Sequence, residues 1–435
     1  MTTPAAKPAP ARLGGSLATE HAPPLDLPLR FLLVALGGFA LLALVYPWHL
    51  PLLLGSFYDP HLLTFVHVNT LGVIAATIFG ASYQLVPVVL QTPLPSTRIA
   101  RLSWWLYWPG LLAFLAGLSG GGPILLGVGG SLLFAAIGLY VGMMVGALLR
   151  APYRDVVYWH LAAALIGLTL AASLGVLLAL SKYAGWLGGG TLPALAAHAV
   201  LMVGGWVTPM LTGVAYRLVG MFTLSEDRLR TEWAWAELAL TVGGTWTLAA
   251  GLFGGLGAAV SLAGAAALLA GLGLFAAQLL RQYHLRRRRT FDVHIPYALA
   301  ALVYGLLSAA LLVYGLASGR ALTDPIWIVV GWLAIAGWAE TAIQGFLYKI
   351  GTFLTWLHRY APLAGRRPVP KLEDLYGRRT ALVGWACWTG GVALGALAAL
   401  SRLGPLTLVA AVALSIGVGA FLVNAARVGL HWREA

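Results

Sequence analysis

The stretch GVIAATIFGASY at residues 72–83 returns as GWVTPMLTGVAY at 205–216 and as GWAETAIQGFLY at 337–348. Each copy has a glycine, a second glycine eight positions later, and a tyrosine three positions after that. The copies lie 133 and 132 residues apart. Such a regular spacing indicates an internal repeat, so the sequence predicts three structural units of one kind.

The composition indicates what surrounds these units. Of the 435 residues, 60% are hydrophobic and only 9% are charged, whereas soluble domains have about 25% charged residues. So much apolar surface must face lipid, where only helices and closed barrels satisfy the backbone. The apolar runs are about 20 to 30 residues long and lack the alternation of barrel strands. The sequence therefore predicts an all-α polytopic membrane protein.

The spacing of the apolar runs predicts about 12 transmembrane helices in three pseudo-symmetric four-helix units. The repeat copies lie four spans apart, so the units share one orientation in the membrane. A span is most easily miscounted in the Gly/Ala-rich stretch 236–282, which we assign to two helices. The predicted spans are 29–54, 60–90, 102–121, 124–149, 157–181, 191–223, 232–255, 257–281, 293–317, 326–356, 380–401 and 405–430.

The same pattern sets the predicted domain boundaries. Residues 1–28 are rich in Ala, Pro and Gly and are expected to form a flexible cytoplasmic tail. The first four-helix unit is 29–150, the second 151–285 and the third 286–435.

The charge distribution predicts the topology. The net charge of +13 comes from basic residues in alternate short loops between spans, and the positive-inside rule places such loops in the cytoplasm. This pattern favours the lipid bilayer over nucleic acid as the partner. Both termini are predicted to be cytoplasmic, in a bacterial-type inner membrane. Cys387 is the only cysteine, so neither a disulfide nor a thiolate metal cluster is expected.

Two histidines lie about two turns inside predicted spans, away from the span ends, where an ionisable group is a functional candidate by default. His67 and His198 each lie about 7 residues into their spans, or about 10 Å below the outer edge. Two imidazoles at one depth on different helices can hold a haem iron from both sides. The alternative is that both rings are packing histidines bonded to backbone carbonyls.

Three further histidines are weaker metal candidates. His160 and His294 each open the first helix of their unit at the predicted cytoplasmic side. They are either interfacial residues that start a helix or ligands of a second haem or metal. His61 lies at the outer end of span 2, where interfacial placement competes with metal ligation.

Two carboxylates and one amide complete the set of intramembrane polar candidates. Glu340 lies near the middle of span 10, and Glu237 lies about one and a half turns into span 7. Buried carboxylates can pass protons or handle a ligand, and the alternative is a structural hydrogen bond to a neighbouring helix. Asn69, two residues after His67, is a candidate for holding a neighbouring polar group near the cofactor.

The segments HVNTLG at 67–72 and GASYQLVP at 80–87 resemble helix two of the haem–copper oxidase superfamily, closest to the large subunit of nitric oxide reductases. In that family the helix carries a histidine ligand of the low-spin haem, followed by a glycine-rich stretch and a Tyr-x-Leu-Val-Pro end. The resemblance implies twelve helices in three units and a haem ligand at His67. Its motif covers about 20 residues.

The chain departs from this family at the binuclear centre. The family places a histidine on helix six with a glutamate, valine and tyrosine nearby, a His-His pair after helix seven, and a His-x-His pair on helix ten. This sequence has no His-His pair, and its tenth span has no histidine. His198 lies on the expected helix, but its context HAVLMVGGW is not the family's metal motif. Copper is therefore not expected.

A second resemblance is to the NnrS family of polytopic haem proteins linked to nitric oxide stress. His61, His67 and the HAVLMVGG run at His198 are similar to its pattern. Together the resemblances imply one or two b-type haems, with His67 and His198 as axial ligands. Arg320 or Arg402, in the outer loops, would reach the propionates.

The expected function is electron transfer, or binding of nitric oxide or another diatomic gas, without a copper-containing oxygen-reducing site. An oxidoreductase of this class would need a respiratory electron donor or a partner subunit. The alternative is a cofactor-free transporter, or a metal-handling or assembly factor, on the same scaffold.

Overall fold

Twelve long helices form the protein in a computed structural model that describes residues 21–288 and 292–432. The described residues contain no strand, and eleven of the helices are long and apolar enough to span a membrane, which confirms the all-α polytopic fold. The helices are α1 Asp26–Leu54, α2 Pro60–Val89, α3 Thr97–Ala116, α4 Pro123–Arg150, α5 Val156–Ala184, α6 Gly188–Thr223, α7 Thr231–Phe253, α8 Ala258–His284, α9 His294–Ala317, α10 Ile326–Leu363, α11 Arg378–Ser401 and α12 Gly404–Leu430.

The predicted helix count agrees with the structure, and most predicted boundaries lie within three residues of the observed ones; the largest differences are at both ends of α3 and at the end of α10, which runs to Leu363 rather than 356. The stretch 236–282 holds parts of two helices, as expected, and Gly255 and Gly257 turn the chain between them with φ of 65° and 95°. Helix α1 begins at Asp26, inside the predicted tail, most of which (1–20) lies outside the described residues. Helix α3 begins at Thr97 rather than 102, because the Ser96 side chain caps it by accepting from the Ile99 N–H.

The second helix of each unit lies at the centre of the bundle. In the most apolar stretches of α2, α6 and α10, 72%, 56% and 72% of residues are buried, against 33–50% for the other spans. Within each unit, the first helix packs on the second, and the third pairs with the fourth. Units join where α4 meets α5, α8 meets α9 and α12 meets α1, which closes the ring.

Each central helix contains a π-helical segment at the repeat position. The segments are Val68–Ala75, Leu201–Val207 and Leu333–Glu340. Their starts lie 133 and 132 residues apart, the same offsets that separate the glycine–tyrosine copies. Residues eight apart on a regular α-helix point about 80° away from each other. The additional residue of a π turn reduces this to about 20°, so both glycines of a copy lie on one helix face.

That face is where the first helix of each unit crosses the second. A Cβ added to the second glycine of each copy would overlap the first helix: at Gly80 it would lie 2.9 Å from the Pro28 carbonyl oxygen, at Gly213 2.4 Å from His160 Cβ, and at Gly345 2.6 Å from Tyr297 Cβ. The glycine spacing that recurs in the three copies therefore has a packing cause, because it permits close crossing of two helices in every unit.

The odd-numbered helices begin, and the even-numbered helices end, at one face of the bundle. We call it the basic face, because most loop arginines lie there, including Arg98, Arg154 and Arg228. The other end is the opposite face. The assignment of the basic face to the cytoplasm stays a prediction from the positive-inside rule.

Candidate functional site

His67 and His198 lie side by side between α2 and α6. Their ring centroids are 6.5 Å apart and their planes are inclined by 23°. Both side chains are half-buried. The residues are in the half of each helix nearer the opposite face, at the depth that the sequence indicated. The structure therefore brings the two predicted ligands together.

Backbone contacts fix the protonation of both rings. His67 Nδ1 lies 2.7 Å from the Leu63 carbonyl oxygen, and His198 Nδ1 lies 2.9 Å from that of Ala171. A carbonyl oxygen can only accept, so Nδ1 must be the protonated donor in each ring. In the neutral imidazole, Nε2 then carries the lone pair. The carbonyl bonds that the packing alternative requires are therefore present, and they also prepare both Nε2 atoms as ligands.

The surroundings of the pair are apolar. The Phe114 ring lies edge-on to His67, with centroids 5.2 Å apart. Leu63, Leu118 and Leu126 form a small buried cluster beside it. Opposite His198, a Cβ at Gly175 would lie 2.9 Å from the ring carbon Cε1, so this glycine makes room for the imidazole.

The spacing of the two rings can be compared with the spacing expected when both bind one metal ion. Bonds from a metal to an imidazole nitrogen are about 2.0–2.1 Å, which puts the centroids of two opposed ligand rings about 6 to 6.5 Å apart. The observed spacing of 6.5 Å falls in this range. The centroid spacing is therefore in the range of two imidazoles that share one iron or copper ion.

Asn69 and His61 lie on the same helix but do not join the pair. The Asn69 side chain is 2% exposed and donates from Nδ2 to the Phe65 carbonyl oxygen at 2.7 Å. Its Oδ1 has no hydrogen-bond partner among the described residues. His61 is exposed in the first turn of α2, where its backbone N–H is capped by Asp59.

Of the two arginines predicted to reach propionates, Arg320 is held within its own loop and Arg402 by the end of α1. Arg320 Nη1 donates to Asp324 Oδ2 at 3.2 Å, and Arg402 Nη1 donates to the Leu54 carbonyl oxygen at 2.7 Å. Both side chains are exposed at the opposite face. Their role toward a propionate stays a prediction.

His160 and Glu237 form a second site, deep between α5, α6 and α7. His160 Nε2 lies 2.7 Å from Glu237 Oε2, and both side chains are fully buried. Tyr216 donates to the same oxygen at 3.1 Å, and Thr241 donates to Oε1 at 3.0 Å. His160 and Glu237 were predicted as separate candidates, and their pairing was not predicted. The repeat tyrosine could have indicated the pair, because Tyr216 lies on the face of α6 that contacts both residues.

His294 lies in an ionic cluster at the basic face rather than in a metal site. Its Nδ1 is 3.5 Å from Asp292 Oδ1, and Asp292 also pairs with the buried Lys349 ammonium. The Tyr376 hydroxyl donates to Asp292 Oδ1 at 3.4 Å. Burial opposes the charge on Asp292, but His294 and Lys349 outweigh it and lower the pKa of this carboxyl.

Glu340 is fully buried at the end of the π segment of α10. Neither carboxylate oxygen has a hydrogen-bond partner in the described part of the chain. Gln344, one turn further on, is also fully buried, and its amide atoms likewise lack partners there. The structural hydrogen bond proposed as the alternative for Glu340 is therefore not formed by any described residue.

Two cavities lie away from the histidine pair. One, of about 60 Å³, is apolar and lies between the three central helices, with the repeat-related Ile78, Leu211 and Ile343 on its wall. The other, of about 250 Å³, opens near the basic face beside Tyr216. Neither is lined by His67 or His198.

No group of three or more His, Cys, Asp and Glu side chains within 21–288 and 292–432 is arranged to hold a metal ion. The His67–His198 pair is thus a two-ligand site. Comparison with protein-family models and with curated proteins found no match to this chain.

Proposed function

We propose that the protein is a haem-binding membrane protein, with His67 and His198 as the axial ligands of one b-type haem. The 6.5 Å spacing of the two rings carries the proposal, because it lies in the range expected for two imidazoles on one iron. The number of ligands supports it too. Two imidazoles complete the coordination of a haem iron, since the porphyrin supplies the other four nitrogens.

The roles of the protein residues follow from their contacts. Leu63 and Ala171 accept from the Nδ1 atoms, and so hold both rings in the tautomer whose Nε2 can ligate. The apolar side chains beside the rings exclude water, which affects the reduction potential of a bound metal. When bound, the haem supplies one-electron redox chemistry. With both axial positions occupied by histidine, electron transfer is favoured over gas binding, which would need His198 to leave.

The spectrum of the purified protein tests the proposal. We expect a Soret band and a reduced-minus-oxidised spectrum of a six-coordinate haem, at one haem per chain. His67→Ala and His198→Ala should each remove the six-coordinate spectrum. His61→Ala, which changes an exposed histidine on the same helix, should retain it. Full retention of the spectrum in His67→Ala contradicts the proposal.

A second candidate function is the handling of a bare metal ion. The specific observation that favours it is the apolar packing of Phe114 and the Leu63, Leu118 and Leu126 cluster beside His67, because a single ion needs less space than a porphyrin. Two imidazoles are a sufficient ligand set for Cu(I), although copper sites with histidine usually have more ligands. A protein without a Soret band that binds one Cu(I), and loses it in both histidine variants, would establish this function instead.

A further inference from the structure

The His160–Glu237 pair has a protonation state that can be worked out from its contacts. His160 Nδ1 lies 2.7 Å from the Val156 carbonyl oxygen, so Nδ1 must carry a proton. Nε2 lies 2.7 Å from Glu237 Oε2, and a contact this short requires a proton between the two atoms. The pair therefore holds one shared proton, either as imidazolium and carboxylate or as imidazole and carboxylic acid.

Two neighbouring hydroxyls complete the hydrogen bonds of the carboxyl group. Tyr216 and Thr241 both donate to Glu237, at 3.1 and 3.0 Å. With one shared proton the loaded pair is neutral in either form, which lowers the cost of placing it in the membrane interior.

Helix α8 packs against the two hydroxyl donors of the pair. It presents Gly271 and Phe275: a Cβ at Gly271 would lie 2.3 Å from Thr241 Oγ1, and the Phe275 ring packs against Tyr216. Charged groups line the wall of the basic-face cavity. They are Arg154 and Asp155 before α5, Arg217 on α6 and Glu226 before α7.

Tyr216 connects the buried pair to that cavity. It lines the cavity wall and also donates to Glu237. A volume of about 250 Å³ holds several water molecules, and the polar lining gives them partners. Among the hydrogen-bond partners that the described residues give Glu237, Tyr216 is the one on the cavity wall, so it is placed to relay a proton between cavity water and the pair.

We propose that His160 and Glu237 form a proton-loading site that exchanges one proton with water at the basic face through Tyr216. On release, the Tyr216 hydroxyl turns from Glu237 and passes its proton to cavity water as it takes up the shared proton through Glu237 Oε2, which leaves neutral His160 and ionised Glu237. Loading is the reverse. The bond that holds the shared proton to the pair breaks, the O–H bond of Tyr216 breaks and forms again, one O–H bond forms on water, and no electron moves. The site is independent of haem binding at His67 and His198.

Infrared spectroscopy of the full-length purified protein tests this assignment. In a pH series, we expect a glutamate band that shifts between H₂O and D₂O, is present in the wild type and is absent in Glu237→Gln. Tyr216→Phe should slow the hydrogen–deuterium exchange of this band at least about tenfold, because it interrupts the route.

The repeat supplies a matched control. Tyr83 holds the equivalent position in the first unit, but its hydroxyl bonds to Ser103 at 2.9 Å rather than to a carboxylate. Tyr83→Phe should therefore leave the exchange rate unchanged. If Glu237→Gln does not fold, Thr241→Val removes one donor from Glu237 and should shift the frequency of the band. A glutamate band unaffected by either Glu237 or Thr241 substitution, or exchange that is as fast in Tyr216→Phe as in the wild type, would overturn the proposal.

Discussion

Gly213 on α6 approaches His160 on α5 so closely that a Cβ on the glycine would lie 2.4 Å from His160 Cβ. This crossing places the imidazole against Glu237 on the third helix of the same unit. The glycine belongs to the repeat motif, and its counterparts Gly80 and Gly345 make the same kind of crossing. The motif thus determines the position of a candidate functional side chain in the second unit.

Gly213→Ala should destabilise the protein by about 1–3 kcal/mol, because the added methyl group overpacks a helix crossing. Thermal unfolding in detergent measures the effect. Gly138→Ala is the matched control: nothing lies within 4 Å of a Cβ at Gly138, so this variant should be as stable as the wild type or slightly more stable. Equal stability of the two variants would contradict the close crossing.

Asp292→Asn should lower stability at pH 7 by about 3 kcal/mol, because it leaves Lys349 buried without its partner. The pKa of Asp292 is lowered in the fold, so its ionised form stabilises the protein fully above the unfolded value of about 3.9. That contribution is lost as the pH falls from about 4 toward the lowered pKa. Unfolding measured across this range should show a steeper loss in the wild type than in Asp292→Asn. Parallel pH profiles would exclude the ion pair.

Glu340→Met and Glu237→Met should have opposite effects on stability. Glu340 is buried with neither oxygen hydrogen-bonded to a described residue, so an apolar side chain of similar volume should stabilise the protein by about 1–3 kcal/mol. Glu237 has three partners, and its removal leaves His160 buried and unpaired, which should cost about 3–5 kcal/mol. Denaturation of both variants in the same detergent makes the comparison. Destabilisation by Glu340→Met would indicate a stabilising partner for this carboxyl.

Most of the fold could be predicted from the sequence because lipid imposes long apolar runs and the repeat sets their grouping. The start of α3 was misplaced because a hydropathy pattern does not register a polar first turn capped by Ser96. The π segments were not predicted either. A π turn allows both motif glycines to lie on one helix face, and neither glycine alone indicates a π turn.

The candidate sites were predictable to different degrees. His67 and His198 could be placed together because they lie at matched depth on repeat-related helices. The pairing of His160 with Glu237 was not predictable, since 77 residues separate them and apolar periodicity does not indicate which helices of a unit face each other. Arg320 bonds to Asp324 in its own loop, and Arg402 bonds to the Leu54 carbonyl oxygen at the end of α1. The position of the two arginines in outer loops does not indicate these partners.

His198→Met tests the proposed haem ligation by changing the ligand rather than removing it. Methionine can replace histidine as an axial ligand, and His/Met ligation raises the reduction potential relative to two histidines. We expect a six-coordinate haem whose midpoint potential is higher by about 0.1 V or more, within the range of about 0.8 V that axial ligands span. Redox titration of the purified protein measures the shift. His61→Met, on the exposed first turn of α2, should leave the potential unchanged. An unchanged potential and spectrum in His198→Met would mean that another residue supplies the second ligand, because a bound His198 cannot be exchanged for a thioether without altering the electron density on the iron.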